Sequence, residues 1–531
     1  MPPSRREFLA TVLGATSLPL LSACHGGSLP PAQSDVVAPP PPVATPTPLP
    51  PSNNSVFAHG MASGDPLADQ VILWTRVTAA QTATSAELAW RMYADAALTQ
   101  VVREGRASTT AARDWTVKVD ADGLAPGTTY YYRFEALSGA AGLSPIGRTR
   151  TLPAAGAQHL RIALATCSVD GSVMNAYARI AERADLDLVL HLGDYAYCDT
   201  DFTLDQYRTE HKSYKAGNAE LREVHRQHPM IVIWDDHETT NDAYETGAPP
   251  PNPTFGPLWT QRKSAATQAF FEHLPIRDNA DGSRRIYRRF DLGGLVDLFM
   301  LDGRLEGRSE QVNGQNDAAR NDPSRTMLGE VQEQWLYDGL RSSRAQWKLL
   351  GNQTMLGHLN EVTAAGASTN NWMDQWDGYP PARQRLYDVL KGDAVNPKVN
   401  NVVVCTGDWH NSFIMDLPED PATTYAEGSG SLAVEYVTPS ITSGFFGVSD
   451  LAPHSPHIKH HNDSAHGYQL LDITPQRVIG EEWQVDTVDA VSGVQTLAIA
   501  FETASGGNRL LPHTTGPTAD KDNAPAPAPT G

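Results

Sequence analysis

Six short apolar runs constrain this chain more than any other feature: LRIALATC, DLVLHLGD, MIVIWDD, VDLFMLDGR, WKLLGN and NVVVCTGDWH, between residues 160 and 410. Each is rich in Val, Ile and Leu, has the length of a buried strand, and ends in Cys, Asp, Asn, Arg or His. Helical or irregular stretches separate them, which predicts an α/β domain. Ligands of open α/β sheets bind beyond the carboxyl ends of the strands. Six strands delivering polar groups to that edge therefore predict one shared site.

The second run continues as HLGDYAYCD (191–199). Asp194 and Tyr197 lie three apart, close enough in a turn for both oxygens to face one ion. A phenol becomes a good ligand only when ionised, and with an ordinary pKa of about 10 it needs a strongly Lewis-acidic metal. Ferric iron is the natural candidate, as tyrosine-ligated haem iron illustrates. Cys167 would add a thiolate and His410 an imidazole. Tyr197 taken alone reads better as a buried aromatic with a satisfied hydroxyl, and Asp194 beside it brings the ligand reading level. Ser168 invites a covalent serine mechanism, but no base is recognisable beside it.

Upstream the pattern changes. VILWTRV, AELAWRMYA and TVKVD alternate apolar and polar residues, and LAPGTTYYYRFEA (124–136) has the turn-then-aromatic-strand pattern in which a tyrosine pins the corner of a fibronectin-like sandwich. The reading is a β-sandwich over 55–153 and a larger domain over 154–512. Before them, SRREFLA and the apolar Thr11–Leu21 match a twin-arginine export signal, and LSAC matches a lipobox that would make Cys24 a lipidated N-terminus. The alternative is a plain cleaved signal over 1–24. A proline-rich tether follows over 25–54, and the low-complexity 513–531 is predicted to be a disordered tail. These segments predict the twin-arginine machinery as a partner and a periplasmic or cell-surface location. With 41 basic against 61 acidic residues the net charge is −20, which repels nucleic acid and leaves a lipid on Cys24 as the route to a membrane. Setting Cys24 aside leaves Cys167, Cys198 and Cys405, an odd number, so at least one is free or a ligand.

ATCS (165–168), GDYAY (193–197), IWDDHE (233–238), LLGNQT (349–354) and GDWH (407–410), behind a twin-arginine signal and a small β-domain, resemble the PhoD-type alkaline phosphatases. These are a branch of the calcineurin-like metallophosphoesterases. The resemblance runs from about Val56 to Pro475. It implies a four-layer αββα core, hydrolysis of phosphate esters, and Fe3+ working with Ca2+. It assigns Cys167, Asp194, Tyr197 and His410 to the ferric site, with Asp194 bridging to a second site of Asp236, Asp408 and Asn352. Related dinuclear phosphatases carry GNH and GHxH where this chain reads DDH and GDWH. The exchange of nitrogen for oxygen favours a hard ion such as calcium. Asp235 and Asp199 stay open as further ligands.

For catalysis the resemblance points to Asp194 and to His237 as a substrate or acid group, and Arg304 in MLDGR has the fork of donors that a phosphate needs. A hydrogen bond that aims a ligand is the alternative for His237, and a salt bridge for Arg304. His454, His457, His460, His461 and His466 have no compact ligand spacing and read as packing or solvated groups, with His466 able to reach the site. Two adjacent cations can lower the pKa of a bridging water and neutralise the oxygens of an in-line displacement. The implied function is an exported alkaline phosphatase releasing inorganic phosphate from monoesters, with diesters within reach of the same centre. The alternatives are a phosphodiesterase of phospholipase D type acting on phospholipid or wall polymer, and a surface binding lipoprotein.

Overall fold

In the computed structural model the described residues run from 55 to 530, apart from short stretches at 79–82, 139–141, 363–367, 370–371, 427–428, 449–450 and 452–454. The export signal, Cys24 and the proline-rich tether lie outside them, as does His454. Three of the apolar runs, Leu160–Ala165, Leu188–His191 and Pro229–Val232, pair in parallel, with Leu164 opposite Leu190 and Leu190 opposite Ile231. The other three, Val296–Met300, Trp347–Asn352 and Val402–Thr406, pair in parallel in a different sheet, with Leu298 opposite Leu349 and Leu350 opposite Val404. The first sheet has ten strands and the second seven.

Side-chain alternation along the second sheet explains the layering. Val296, Leu298, Met300, Leu349, Val403 and Cys405 turn toward the first sheet and share its core. Phe299, Leu301, Leu350, Val402 and Val404 turn the other way and pack with Leu336, Leu340, Leu386 and Leu390. Those leucines belong to the helices Gly329–Ser342 and Pro380–Lys391. Ile180, Tyr207, Leu221 and Phe270 join the core of the first sheet from the helices Asn175–Ala181, Leu204–Gly217, Ala219–Gln227 and Gly256–His273. The result is the four-layer αββα arrangement. Each fully buried Leu, Val or Phe adds about 1.5–3 kcal/mol, so the two middle layers hold the strand ends rigidly.

Residues 55–153 form a sandwich around Leu73, Leu88, Met92, Val117, Tyr132 and Phe134. The Tyr130 hydroxyl accepts from the Ala125 amide at 2.9 Å, closing the tyrosine corner. The sandwich is not separate from the core. Its strand Met61–Gly64 pairs in parallel with Pro229–Val232, Ser63 opposite Pro229, so one of its sheets continues into the ten-stranded sheet. Gly64 permits this, because a Cβ there would lie 2.5 Å from the Met230 carbonyl.

The predicted disordered tail is corrected by the structure over residues 513–530. Tyr131 donates to the Ala526 carbonyl at 2.6 Å, and Arg226 donates to the carbonyls of Ala528 at 3.2 Å and Pro529 at 3.1 Å. Arg161 donates to the Ala519 carbonyl, and Lys521 pairs with Asp187. The sequence signal was misleading because this segment is held mainly through its carbonyls, which every residue type possesses.

Candidate metal centre

The strand ends turn sharply into the site. Cys167, Asp194, Asp408 and His410 have φ of +56°, +54°, +63° and +61°, the left-handed region that non-glycine residues seldom adopt. Strain of this kind persists where surrounding structure over-determines it, and it clusters at functional sites. Glu238 supplies part of that determination: its carboxylate accepts from the amides of Asp194 at 3.2 Å, Tyr195 at 2.6 Å and Asp235 at 2.8 Å. One buried side chain thus ties two strand ends together.

At one pole, ligand atoms of Cys167, Asp194 and His410 all lie within 4.8 Å of one another. The Tyr197 hydroxyl joins them, 3.0 Å from Asp194 Oδ2 and 3.1 Å from His410 Nε2. His410 Nδ1 is held by the Gly444 carbonyl, which leaves Nε2 for the site. Burial raises the Cys167 thiol well above its ordinary pKa, and the Asp194 charge adds to this. The Tyr197 phenol is raised by burial and then by Asp194 and Cys167. Burial also raises Asp194, with His237 opposing and Asp236, Glu238 and Asp408 reinforcing. Three neighbouring acids that suppress one another's ionisation suit a highly charged cation, which would reverse the balance.

At the other pole, Asp235, Asp236 and Asp408 bring carboxylate oxygens within 4.8 Å, and Asp194, Asp236 and His237 form an overlapping group. The Asn352 amide nitrogen donates to the Thr354 carbonyl. Among the described residues, Asp194 Oδ1, Asp235 Oδ2 and Asn352 Oδ1 are buried oxygens without a hydrogen-bond partner. Such atoms are costly to bury unless something coordinates them. The residues therefore fit metal ions at both poles.

His237 packs against Tyr197 with ring centroids 4.2 Å apart and planes tilted by 34°, and its Nδ1 meets both Asp199 oxygens at 2.9 and 2.8 Å. Burial opposes charging of its ring, yet Asp236, Asp194 and Asp199 outweigh burial and raise its pKa well above the usual value. Asp199 thus acts on His237, while Asp235 belongs to the acidic cluster.

Arg304 does not present the free fork expected for phosphate. Its guanidinium is fully buried, bound to Asp235 through Nε, to Asp374 at 2.8 Å and to Asp408 at 2.8 Å, so the salt-bridge alternative describes it. Ser168 donates to the Tyr195 carbonyl at 3.0 Å and accepts from Tyr177, an arrangement without a base to activate it. The histidine group disperses into packing: His457 bonds the His358 carbonyl, His460 pairs with Glu482, and His461 stacks on Phe413. His466 bonds the Ser443 carbonyl, one residue from the site, since the Ser443 hydroxyl bonds Tyr197 at 2.6 Å. Cys167, Cys198 and Cys405 are all free and buried. Sequence reasoning missed Asp374, Gln375 and Ser443, which lie in irregular segments with no apolar strand before them.

The comparisons agree with this geometry. The PhoD-like phosphatase family matches residues 162–481, and its N-terminal domain matches residues 44–153. Alkaline phosphatase D of Bacillus subtilis (strain 168) is 35% identical over 471 residues, covering 81% of this chain and 77% of that protein. A solved structure of PhoD superposes with a TM-score of 0.76 at 33% identity, covering 87% of this chain and 93% of that one. A purple acid phosphatase from yellow lupin seeds shares the fold, with a TM-score of 0.55 at 13% identity over 84% of this chain and 73% of that one. With its polar strand ends gathered at one metal-competent edge and both domains matched in order, the chain belongs to the PhoD-like phosphatase family and is a phosphoric ester hydrolase.

Proposed function

We propose that this enzyme is an exported alkaline phosphatase that uses Fe3+ held by Cys167, Asp194, Tyr197 and His410 and Ca2+ held by Asp194, Asp236, Asn352 and Asp408. Phosphate monoesters are its main substrates, with diesters within reach. The observation that carries the reading is Asp194, a buried carboxylate that belongs to two of the ligand groups at once. A carboxylate shared in this way suits two cations placed side by side. The name of the Bacillus relative supports the phosphatase assignment.

When bound, the cations would supply Lewis acidity toward water and positive charge against the phosphoryl oxygens. The chain's own residues supply the rest. His237, held at Nδ1 by Asp199, is the group that would hand a proton to the leaving oxygen. Tyr197 supports that ring from one face and touches Asp194 and His410 from its hydroxyl, so one side chain couples the acid group to the ligand set. Arg304 and the Gln375 amide hold Asp408 from outside.

Elemental analysis of protein purified through its native export route, paired with turnover of a monoester and a diester chromogenic substrate, tests this. We expect iron and calcium, a visible charge-transfer band that Tyr197→Phe shifts or weakens, and faster monoester cleavage. Calcium chelation should stop turnover, with added calcium restoring it. A colourless enzyme that needs zinc and ignores calcium chelation sinks the metal assignment. Turnover of the diester alone favours the phosphodiesterase reading, and turnover of neither favours a binding lipoprotein.

The localisation proposal rests on the SRREFLA and LSAC stretches. Arg5→Lys with Arg6→Lys should hold the protein in the cytoplasm, and Cys24→Ser should release it from the membrane fraction with turnover intact. Unchanged membrane retention of the Cys24 variant removes the lipid anchor.

A further inference from the structure

Two buried arginines stand at the acidic pole, and the ligand roles assigned there do not explain them. Arg304 and Arg308 are both essentially inaccessible, and Asp374 lies between them. Arg304 Nη1 meets the two Asp374 oxygens at 2.9 and 2.8 Å, while Arg308 Nη2 meets Asp374 Oδ1 at 2.5 Å and its carbonyl at 2.6 Å. The Gln311 amide donates to the same carboxylate at 2.7 Å. The next residue, Gln375, donates to Asp408 and accepts from the Met355 amide at 2.6 Å. Two consecutive residues of one irregular segment therefore grip Arg304 and Asp408 from the far side.

The charges around this pole make the arrangement intelligible. Asp235, Asp236 and Asp408 ionised would carry three negative charges; Arg304, paired with Asp235 and Asp408, and Arg308 on the far side of Asp374 would together offset two of them if Asp374 carried no charge. A pole left with a single negative charge holds a dication poorly in a site with little water. Asp374 restores the second negative charge by pairing with both guanidiniums, while Arg304 keeps its contacts to Asp235 and Asp408. We propose that Asp374 is a positioning residue that offsets Arg304 and Arg308 so that the Asp235–Asp236–Asp408 cluster retains the net charge a divalent cation requires. The proposal rests on the reading of this pole as the second cation site.

Calorimetric titration of cation-free protein with calcium chloride tests it, with melting curves to show that each variant is folded. Asp374→Asn should weaken calcium binding about ten- to hundredfold, the range typical of partners that orient metal ligands. Asp374→Glu should keep near-wild-type affinity. Asp374→Asn combined with Arg308→Met should recover most of the loss, and Arg308→Met alone should bind calcium more tightly than wild type. A merely structural Asp374 predicts the opposite for the double variant, which would then bind worse than either single one. That result, or unchanged affinity in Asp374→Asn, overturns the role of Asp374 while leaving the cation site standing. Wild-type protein that binds no calcium overturns the site reading and the proposal together.

Discussion

Gly193 shows how little freedom a single residue has at this centre. Its φ is +107°, and a Cβ there would lie 2.4 Å from Asp235 Cβ and 2.9 Å from the Asp235 amide nitrogen. Gly193→Ala must push apart the two strand ends that carry Asp194 and Asp235. The expected outcome is a loss of about 1–3 kcal/mol of stability, read from denaturant melts, together with metal content well below wild type. Asp199 permits a finer test, because its carboxylate bonds the His237 ring and the Asn241 amide. Asp199→Asn should lower kcat about ten- to hundredfold while KM and metal content stay near wild type, as expected for a mispositioned acid group. A change confined to KM would place Asp199 in substrate binding instead.

The helix Leu204–Gly217 carries the clearest pH dependence. Its Lys215 is buried, donates to the Tyr195 hydroxyl, and lies 4.6 Å from the Tyr195 ring and 5.1 Å from that of Trp74, a sandwich residue. The groups around it are His59, His191, His211, His225 and His273, each with a pKa depressed first by burial. Burial alone brings Lys215 down to about 7 from an unfolded value of 10.5. Between those values the unfolded chain binds the extra proton, so stability rises with pH across the window and is lost as pH falls toward 7. The thermal midpoint should therefore climb from pH 7 to pH 10, and Lys215→Met should flatten the climb and raise the midpoint at pH 7. A wild-type midpoint flat over that range counts against the neutral lysine. None of this was visible in RTEHKSYKAG, which reads as a solvated helix, because the burial comes from a sandwich strand more than a hundred positions away. The proposed metal ligands stood out for the converse reason: Cys167, Asp194, Asp236, Asn352 and Asp408 each stand at or just after an apolar strand, so local pattern sufficed to single them out. Asp374 follows no such strand, and the ion pairs of Arg304 depend on three segments at once.

At the scale of the whole molecule, the C-terminal segment fastens sandwich and core together. Ala526 is held by Tyr131 of the sandwich, and Ala528 and Pro529 by Arg226 of the core. Ending the chain at Gly516 would remove these partners and the Ala519 carbonyl from the buried Arg161. Arg161 and Arg226 would keep their carboxylate partners Asp185, Asp472 and Glu223 but lose buried carbonyl acceptors, so the truncated protein should melt at lower temperature, with exchange of backbone amides quickening first near Arg226 and Tyr131. Equal melting of the two forms would show the segment to be dispensable. The continuous ten-stranded sheet was not legible because the Ser63–Pro229 pairing joins residues far apart in the chain, beyond the reach of periodicity. The division of ligands between the two sheets has a kinetic meaning. Cys167 and Asp194 follow strands of one sheet, while Asn352, Asp408 and His410 belong to the other. Non-local strand pairing is the slow part of folding, and no fragment containing only one sheet can assemble the full ligand set. Under the proposed metal assignment, capture of the cations should thus be the last event in maturation, and an occupied centre would certify that the chain around it has finished folding.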